Sequence, residues 1–559
     1  MWDLRIAPAV PRPVPFPPPA PAGAARRPGR RWWVPLLVVV LLAQMAFAMV
    51  TTAVRQTPTI DEPVYVGAAA EYTQEHRLRR NPEHPPLGKL LIGAGVTLAD
   101  PHLDPSFSGD QGELGRHLLY ESGNDPWRLM LWARLPVIAL TLLFGLVVLA
   151  FARELAGTAG ALTALALYCF SPDVIAHGSL ATLDVPAAGF VLTSAWLLWR
   201  ARHRPRLYVP LAGVALGAAL ATRISTLPAV PVLMALGAVS VWHASAGGRG
   251  RMLLRAVAGA GVVALAAVAV VWATYLMVDP RLRWDPEQQV PHVRGVRGLL
   301  VEMLPFPEAY RDGMRIQFGL ENRPWQGFLF GRLYSGSLWY YLPAALLVKT
   351  PLGMLGLWVC GAVVVIAVRR LRPAAPYVLA APVVLLLASM QGARDFGTRY
   401  AVFLPLFLAV GAGCVLVVRR LWVSGAVGAL VVFVAVSSVR TFPCYLPYSN
   451  EAFGGPGRTR ELLHDSNVDW GQDLGRLAER LREERYAGER VWLVYKGSGV
   501  PAAYGVEAGD PRAVPVDEVR GLLVVSDSAA AKATGRLAGL IRSSRPVDDV
   551  GHSITIYRR

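Results

Sequence analysis

The chain has 559 residues, of which 53% are hydrophobic and only 17% charged, with a mean hydropathy of +0.38. A soluble domain carries nearer a quarter charged residues, so this composition excludes an ordinary soluble enzyme and points to a multi-pass membrane protein. The formal net charge of +17 invites a nucleic-acid partner, but the placement of the arginines along the chain argues against one.

Residues 1–31 are rich in Pro and Arg and read as a disordered cytoplasmic tail. "AFA" at 46–48 resembles a signal-peptidase site, yet cleavage there would remove a span that the later topology needs. Apolar runs follow at about 33–54, 129–151, 158–176, 184–199, 207–222, 224–242, 253–277, 339–368, 376–391, 400–418 and 421–438. They give about eleven membrane spans, several of them shorter than the ~20 residues of a perpendicular crossing. Arg26, Arg27, Arg30 and Arg31 precede the first run and place the N-terminus inside. Alternation then puts Arg153, Arg200–Arg206, Arg249–Arg255, Arg369–Arg372 and Arg419/Arg420 in cytoplasmic loops. The basic balance is mostly a topology signal.

The same alternation assigns residues 55–128, the turn near 177–183, the loop near 223, 279–337, 391–400 and everything after about 440 to the outer face. Unpaired acids and long irregular loops, 279–337 among them, collect there. In loop 55–128, residues 61–75 read as an amphipathic surface helix with Val64, Ala68 and Tyr72 on one stripe. Pro82, Pro85 and Pro86 hold the next segment extended, and Leu87 to Leu98 suit an interfacial or re-entrant helix. The chain so divides into the tail 1–31, a transmembrane domain 32–440 and a small α/β domain 441–559 outside the membrane. In the last of these, charged helix and apolar strand alternate before a final strand at "HSITIYRR".

Several groups carry candidate chemistry. Asp61 and Glu62 stand at the start of the first outer helix. Thr59 and Glu62 have capping-box spacing, so the pair is either a capped helix start or a reactive carboxylate at the membrane surface. Glu83 and His84 lie in "EHPP", with Lys89 one to two turns further on. Asp173, His177 and Asp184 surround a tight outer turn, and Asp184 is equally an N-cap. Arg223, Lys349, Arg394 and Arg399 run against the positive-inside bias and invite an anion, with snorkelling or pairing to Asp395 the simpler reading of Arg394. "DSNVDWGQDL" at 465–474 mimics a calcium loop, but its glycine falls late and no Glu stands twelfth, so a turn is expected. The four cysteines are scattered singly and read as apolar packing residues. No nucleotide-binding or hydrolase motif is present.

Taken in order, Asp61-Glu62, "NPEHPPLGKLL", "LATLDVP" and "TRYAVFLPLF" resemble the lipid-carrier-dependent glycosyltransferases of the GT-C fold. The resemblance is to family 39, the protein O-mannosyltransferase and aminoarabinose-transferase type, over about residues 33–475. It implies transfer of a sugar from a polyprenyl phosphate to a hydroxyl outside the cytoplasm, by direct inverting displacement with Asp61, the first carboxylate of the pair, as the catalytic base and Asp184 as the second family acid. Glu62, Glu83, His84, Lys89, Arg223 and Arg399 are then donor- or acceptor-binding candidates. His84 departs from the aminoarabinose branch, where a lysine stands, and leaves a divalent metal ion open as the local cation. Membrane lipids, the donor and a hydroxyl-bearing acceptor are the implied partners. A transporter or lipid-linked-sugar flippase would share the hydrophobicity, but internal repeats and broken midplane helices are not evident.

Overall fold

A computed structural model describes residues 32–559. The expected tail 1–31, with the four arginines that orient the chain, lies outside the described residues. Each of the eleven apolar runs coincides with helix. The first half holds α1 (Trp33–Arg55), α2 (Glu62–Gln74), α3 (Pro86–Ala99), α4 (Gln111–Tyr120), α5 (Pro126–Cys169), α6 (Pro172–Gly178), α7 (Asp184–Ala201), α8 (Pro205–Thr222), α9 (Ala229–Ala244) and α10 (Arg249–Val278). After α11 (Gly295–Met303), α12 (Glu308–Glu321) and a hairpin of β1 (Gln326–Leu329) with β2 (Arg332–Ser335) come α13 (Tyr341–Lys349), α14 (Leu352–Ala367), α15 (Ala375–Ser389), α16 (Phe403–Gly413) and α17 (Leu421–Thr441). Among the described residues, six helices are long and apolar enough to cross a membrane, or seven if the pair α13–α14, bent by 119°, is one span.

One of the six is a hairpin. Along a straight helix, Thr141 and Tyr168 would stand ~40 Å apart at 1.5 Å per residue. Instead the Tyr168 hydroxyl donates to the Thr141 carbonyl at 2.7 Å. The reversal falls at Gly157, whose φ of 73° and ψ of −168° lie in a region open only to glycine. The two arms of α5 therefore run antiparallel. Small residues also let helices touch backbone to backbone: a Cβ on Gly160 would sit 2.6 Å from the Gly413 carbonyl oxygen, the close approach that small residues allow in lipid.

Two expectations change. Residues 61–75 are not a surface helix with one buried stripe: α2 is buried on nearly every side, including Glu62, Tyr65, Val66, Ala69 and Glu71. Its far side is covered by α4, where Gly67 meets Gly115. The loop 279–337 is not irregular; it contains α11, α12 and the hairpin.

Tyr445, Leu446, Leu463, Val468 and Trp470 belong to the same apolar core as the spans. Beyond α18 (Thr459–Leu462) and α19 (Leu474–Leu481) lies a four-stranded sheet of β3 (Val491–Val494), β4 (Leu522–Ser526), β5 (Arg545–Val550) and β6 (Ile554–Arg558). Its order is β3-β4-β6-β5, parallel only between β3 and β4. Alternating residues of β4 feed separate cores on the two faces: Leu522 and Val524 join Leu477 and Ile556, while Leu523 and Val525 join Trp492 and Leu540. Two further helices, α20 (Asp527–Ala531) and α21 (Gly535–Arg542), connect β4 to β5.

Replacing Gly157 by Ala forces a Cβ into that mirror-β conformation while nothing lies within 4 Å of it. The expected result is a loss of about 1–3 kcal/mol, read as a lowered unfolding temperature in detergent; an unchanged value would mean the reversal lies elsewhere.

Candidate active site

The chain leaving α1 is held extended by a segment more than 400 residues away. The amide of Thr57 donates to the Gln472 carbonyl (2.9 Å) and that of Ile60 to the Trp470 carbonyl (3.0 Å). The Thr57 hydroxyl donates to the Gly471 carbonyl at 3.1 Å and accepts from the Leu474 amide at 3.2 Å. From the sheet side, the Ser498 hydroxyl donates to the Ile60 carbonyl at 2.7 Å. Asp61 is thus presented by a backbone fixed on both flanks.

Glu62 turns inward and is fully buried. Its carboxylate accepts from Arg134 Nε and Nη2, both at 2.7 Å, from the Thr59 amide at 2.9 Å and from the Ala181 amide at 2.8 Å. The capping box is only half formed: the Thr59 hydroxyl donates to Glu62 at 3.0 Å, and the Glu62 amide reaches the Thr59 carbonyl instead. Burial pushes the Glu62 carboxyl up, but the guanidinium of Arg134 and the two amides outweigh it and hold it below the usual range. Arg134 is completed by the Ala53 and Gln56 carbonyls at 2.7 and 2.8 Å. Glu62 therefore joins α1, α2, the α6–α7 turn and α5.

Asp61, by contrast, makes no cap to α2 and faces a cavity of about 210 Å³. Its carboxylate meets Arg399 Nη1 at 2.5 Å, with the Asp61 side chain 28% exposed. Arg399 precedes α16 and lies against two aromatics, 4.3 Å from the Trp470 ring centre and 5.0 Å from that of Tyr400, contacts that suit a guanidinium better than an ammonium. Glu83 and His84 line the same cavity. Glu83 accepts from the side-chain amides of Gln111 (2.7 Å) and Gln288 (3.1 Å). Burial, reinforced by Arg223 and Lys89, drives His84 well below the usual imidazole range, so it is neutral and the cation paired with Asp61 is Arg399.

The other expected residues stand behind the cavity wall. Lys89 is fully buried and donates to the Asn81 and His84 carbonyls, each at 2.7 Å; burial pushes it down to about 7, against the pull of Glu83 and Glu71. It shapes the "EHPP" loop. Asp184 pairs with Arg223, and Arg223 lies against the Tyr400 ring at 5.6 Å. Lys349 is spent on the Leu446 and Asn467 carbonyls. Arg394 does line the cavity, but it pairs with Glu321 at 2.8 Å and not with Asp395. Asp395 instead accepts from the Tyr334 hydroxyl (2.8 Å) and the Leu338 amide (2.9 Å).

"DSNVDWGQDL" forms a hydrogen-bonded turn. Asp465 pairs with Lys496, Asp469 accepts the amides of Gly471 (3.1 Å) and Ser528 (3.0 Å), and Asn467 accepts that of Thr398 (3.1 Å) beside Arg399. Trp470 was not singled out from the sequence; nor were Tyr65, Tyr400, Trp325 and Phe396, which line the cavity. The adjacency of Tyr400 to Arg399 was the available signal for one of them. Among the described residues, no group of three or more His, Cys, Asp or Glu is placed to hold a metal ion.

Residues 37–279 match the family described as dolichyl-phosphate-mannose-protein mannosyltransferase. That segment is of glycosyltransferase type. It carries Asp61, Glu83, His84, Lys89, Asp184 and Arg223, and it bears out the resemblance drawn from the motifs; Arg399 and Trp470 fall outside it. Among solved structures, ArnT from Cupriavidus metallidurans in the apo state is similar at 15% identity, covering 94% of this chain and 97% of that one, with a TM-score of 0.46. The archaeal oligosaccharyltransferase AglB from Archaeoglobus fulgidus, in complex with an inhibitory peptide and a dolichol-phosphate, is similar at 12% identity over 89% of this chain and 70% of that one, TM-score 0.44. The Pmt1–Pmt2 complex of S. cerevisiae bound to the sugar donor matches at 16% identity over 44% and 33%, TM-score 0.34. No curated protein matches the chain.

Replacing Arg134 by Met leaves Glu62 charged and buried without its partner. The expected cost is about 3–5 kcal/mol, seen as a large drop in unfolding temperature, whereas a variant within 1 kcal/mol of the parent would mean the pair is not structurally essential.

Proposed function

We propose that this protein transfers a sugar from a polyprenyl-phosphate-linked donor to a hydroxyl on a protein, lipid or glycan acceptor, at the extracytoplasmic face of the cell membrane. The observation that carries this reading is the Asp61–Arg399 pair: a partly exposed carboxylate and an aromatic-clamped guanidinium in one cavity. Displacement of a phosphate at an anomeric carbon needs a base for the incoming hydroxyl and positive charge for the leaving group.

In this mechanism the donor phosphate competes for Arg399, as phosphate suits a guanidinium fork, and so releases the Asp61 carboxylate. Asp61 then takes the acceptor hydroxyl proton as the oxygen attacks the anomeric carbon. The bond to the phosphate breaks on the opposite face, and Arg399 receives the charge that develops on the leaving oxygen. One displacement inverts the configuration. Glu62, Lys89, Asp184 and Arg223 act by positioning, while Glu83, Arg394, Trp325 and Phe396 wall the space for sugar and acceptor. Eleven spans, an inside N-terminus and an α/β domain 441–559 outside the membrane complete the arrangement, with the donor tail reaching the cavity from the bilayer.

Asp61→Asn is expected to lower transfer by about 10²–10⁴-fold with the unfolding temperature retained, measured by glycolipid and glycoprotein mass spectrometry in a deletion strain complemented with either form. Restoration by the variant would refute Asp61 as base. Nuclear magnetic resonance of the product should show the configuration opposite to the donor's, and a retained one would overturn direct displacement. A phosphatase fused after Glu75 is expected to be active outside the cytoplasm.

A further inference from the structure

A second cavity, of about 680 Å³, lies away from Asp61. Three span ends meet there: Val54 and Arg55 close α1, Trp127 opens α5, and Pro443 and Cys444 follow α17. Its other wall is α19, through Gly475, Arg476 and Glu479. The volume is that of a small-molecule site, and its position at the ends of spans is the level of lipid headgroups.

The charges on its wall are unequal in their commitments. Arg480 is tied to Asp548 and Glu483. Arg476 pairs with Asp473, yet its Nη2 is buried without any partner. Arg55 is exposed with no carboxylate partner among the described residues, and Glu479 is exposed with no cationic partner among them. The cavity so offers two cationic donors and one free carboxylate. A bare anion would be opposed by Glu479, while a headgroup bearing both a phosphate and an ammonium satisfies all three. An apolar path leads away from it along the outside of the bundle. Val54 is 48% and Phe47 64% exposed, and the Phe47 ring stacks on Phe442 at 5.7 Å, which gives an acyl chain a surface to lie on.

We propose that this cavity binds a phospholipid with a phosphoethanolamine headgroup, its phosphate on Arg55 and Arg476 and its ammonium on Glu479. The site has a bearing on the first cavity. Arg55 and Arg476 stand just beyond the ends of the paired segments Thr57–Ile60 and Trp470–Leu474 that hold Asp61. A headgroup bridging them fastens those segments together.

The binding test does not depend on the proposed activity. Delipidated full-length protein in detergent is titrated with phosphatidylethanolamine, phosphatidylglycerol and phosphatidylcholine of identical acyl chains, and separately with inorganic phosphate, and adducts are read by native mass spectrometry. The expected result is one phosphatidylethanolamine bound about tenfold more tightly than the other lipids. Arg55→Gln should weaken it about tenfold, the loss of one hydrogen bond to a charged group. Glu479→Gln should bring phosphatidylethanolamine down to the level of phosphatidylglycerol. Both residues are exposed and unpaired, so an unchanged unfolding temperature is the control; if Arg55→Gln fails it, Glu479→Gln alone decides. Equal binding of the three lipids, inorganic phosphate binding as tightly as phosphatidylethanolamine, or a folded Arg55→Gln or Glu479→Gln variant with parental lipid preference would each overturn the proposal.

Discussion

The buried contact between Glu62 and Arg134 sets the geometry on which the rest of the site depends. A carboxylate with no exposure is tolerable only when every lone pair is used, and here two guanidinium nitrogens, two amides and a hydroxyl use them. Because these donors come from α5, the α6–α7 turn and the segment before α2, the pair fixes four parts of the chain relative to one another. Asp61 inherits its direction from that arrangement. With Glu62 turned into the protein, the neighbouring side chain is left facing the cavity. Two adjacent acids therefore have opposite fates for one reason.

The aromatic clamp does for Arg399 what the buried pair does for Asp61. Trp470 and Tyr400 both lie against the guanidinium, whose Nη1 donates to the Asp61 carboxylate and Nη2 to the Tyr400 hydroxyl. Trp470 serves twice, since its carbonyl also receives the Ile60 amide. One residue so couples the two halves of the ion pair through the backbone on one side and a ring face on the other. The sheet is linked to the same point by Lys496–Asp465 and by Ser528–Asp469.

Much of this was legible in the sequence, and the failures have physical causes. The eleven apolar runs all fall on helix because lipid demands continuous apolar stretches. The acids and the outlying arginine were visible because such groups are costly beside a membrane and stand out against an apolar background. Asp61, Glu83, His84 and Arg399 do share one cavity. The strand β5 was missed because "RPVDDV" is polar and largely exposed at a sheet edge. The stripe read on α2 was too narrow because its cover, α4, is short and polar and announces itself only by a capping box at Asp110 and Glu113. Trp470 was hidden for a different reason: an aromatic in a turn says nothing of a partner 71 positions earlier, and only the fold brings it to Arg399. The pairing of Arg394 with Glu321 was hidden likewise, because proximity in sequence favoured Asp395.

The clamp between Thr57 and Gly471 joins residues 414 positions apart. At typical rates of chain synthesis, roughly 20–80 s separates the emergence of its two halves. During that interval Asp61, Glu83 and His84 already exist in the membrane, yet the segment that braces them and the ring that aligns Arg399 have not been made. A chain interrupted before Trp470 carries nearly every acid of the site and no assembled centre. Assembly of the Asp61–Arg399 pair in this way waits on synthesis of the segment around Trp470.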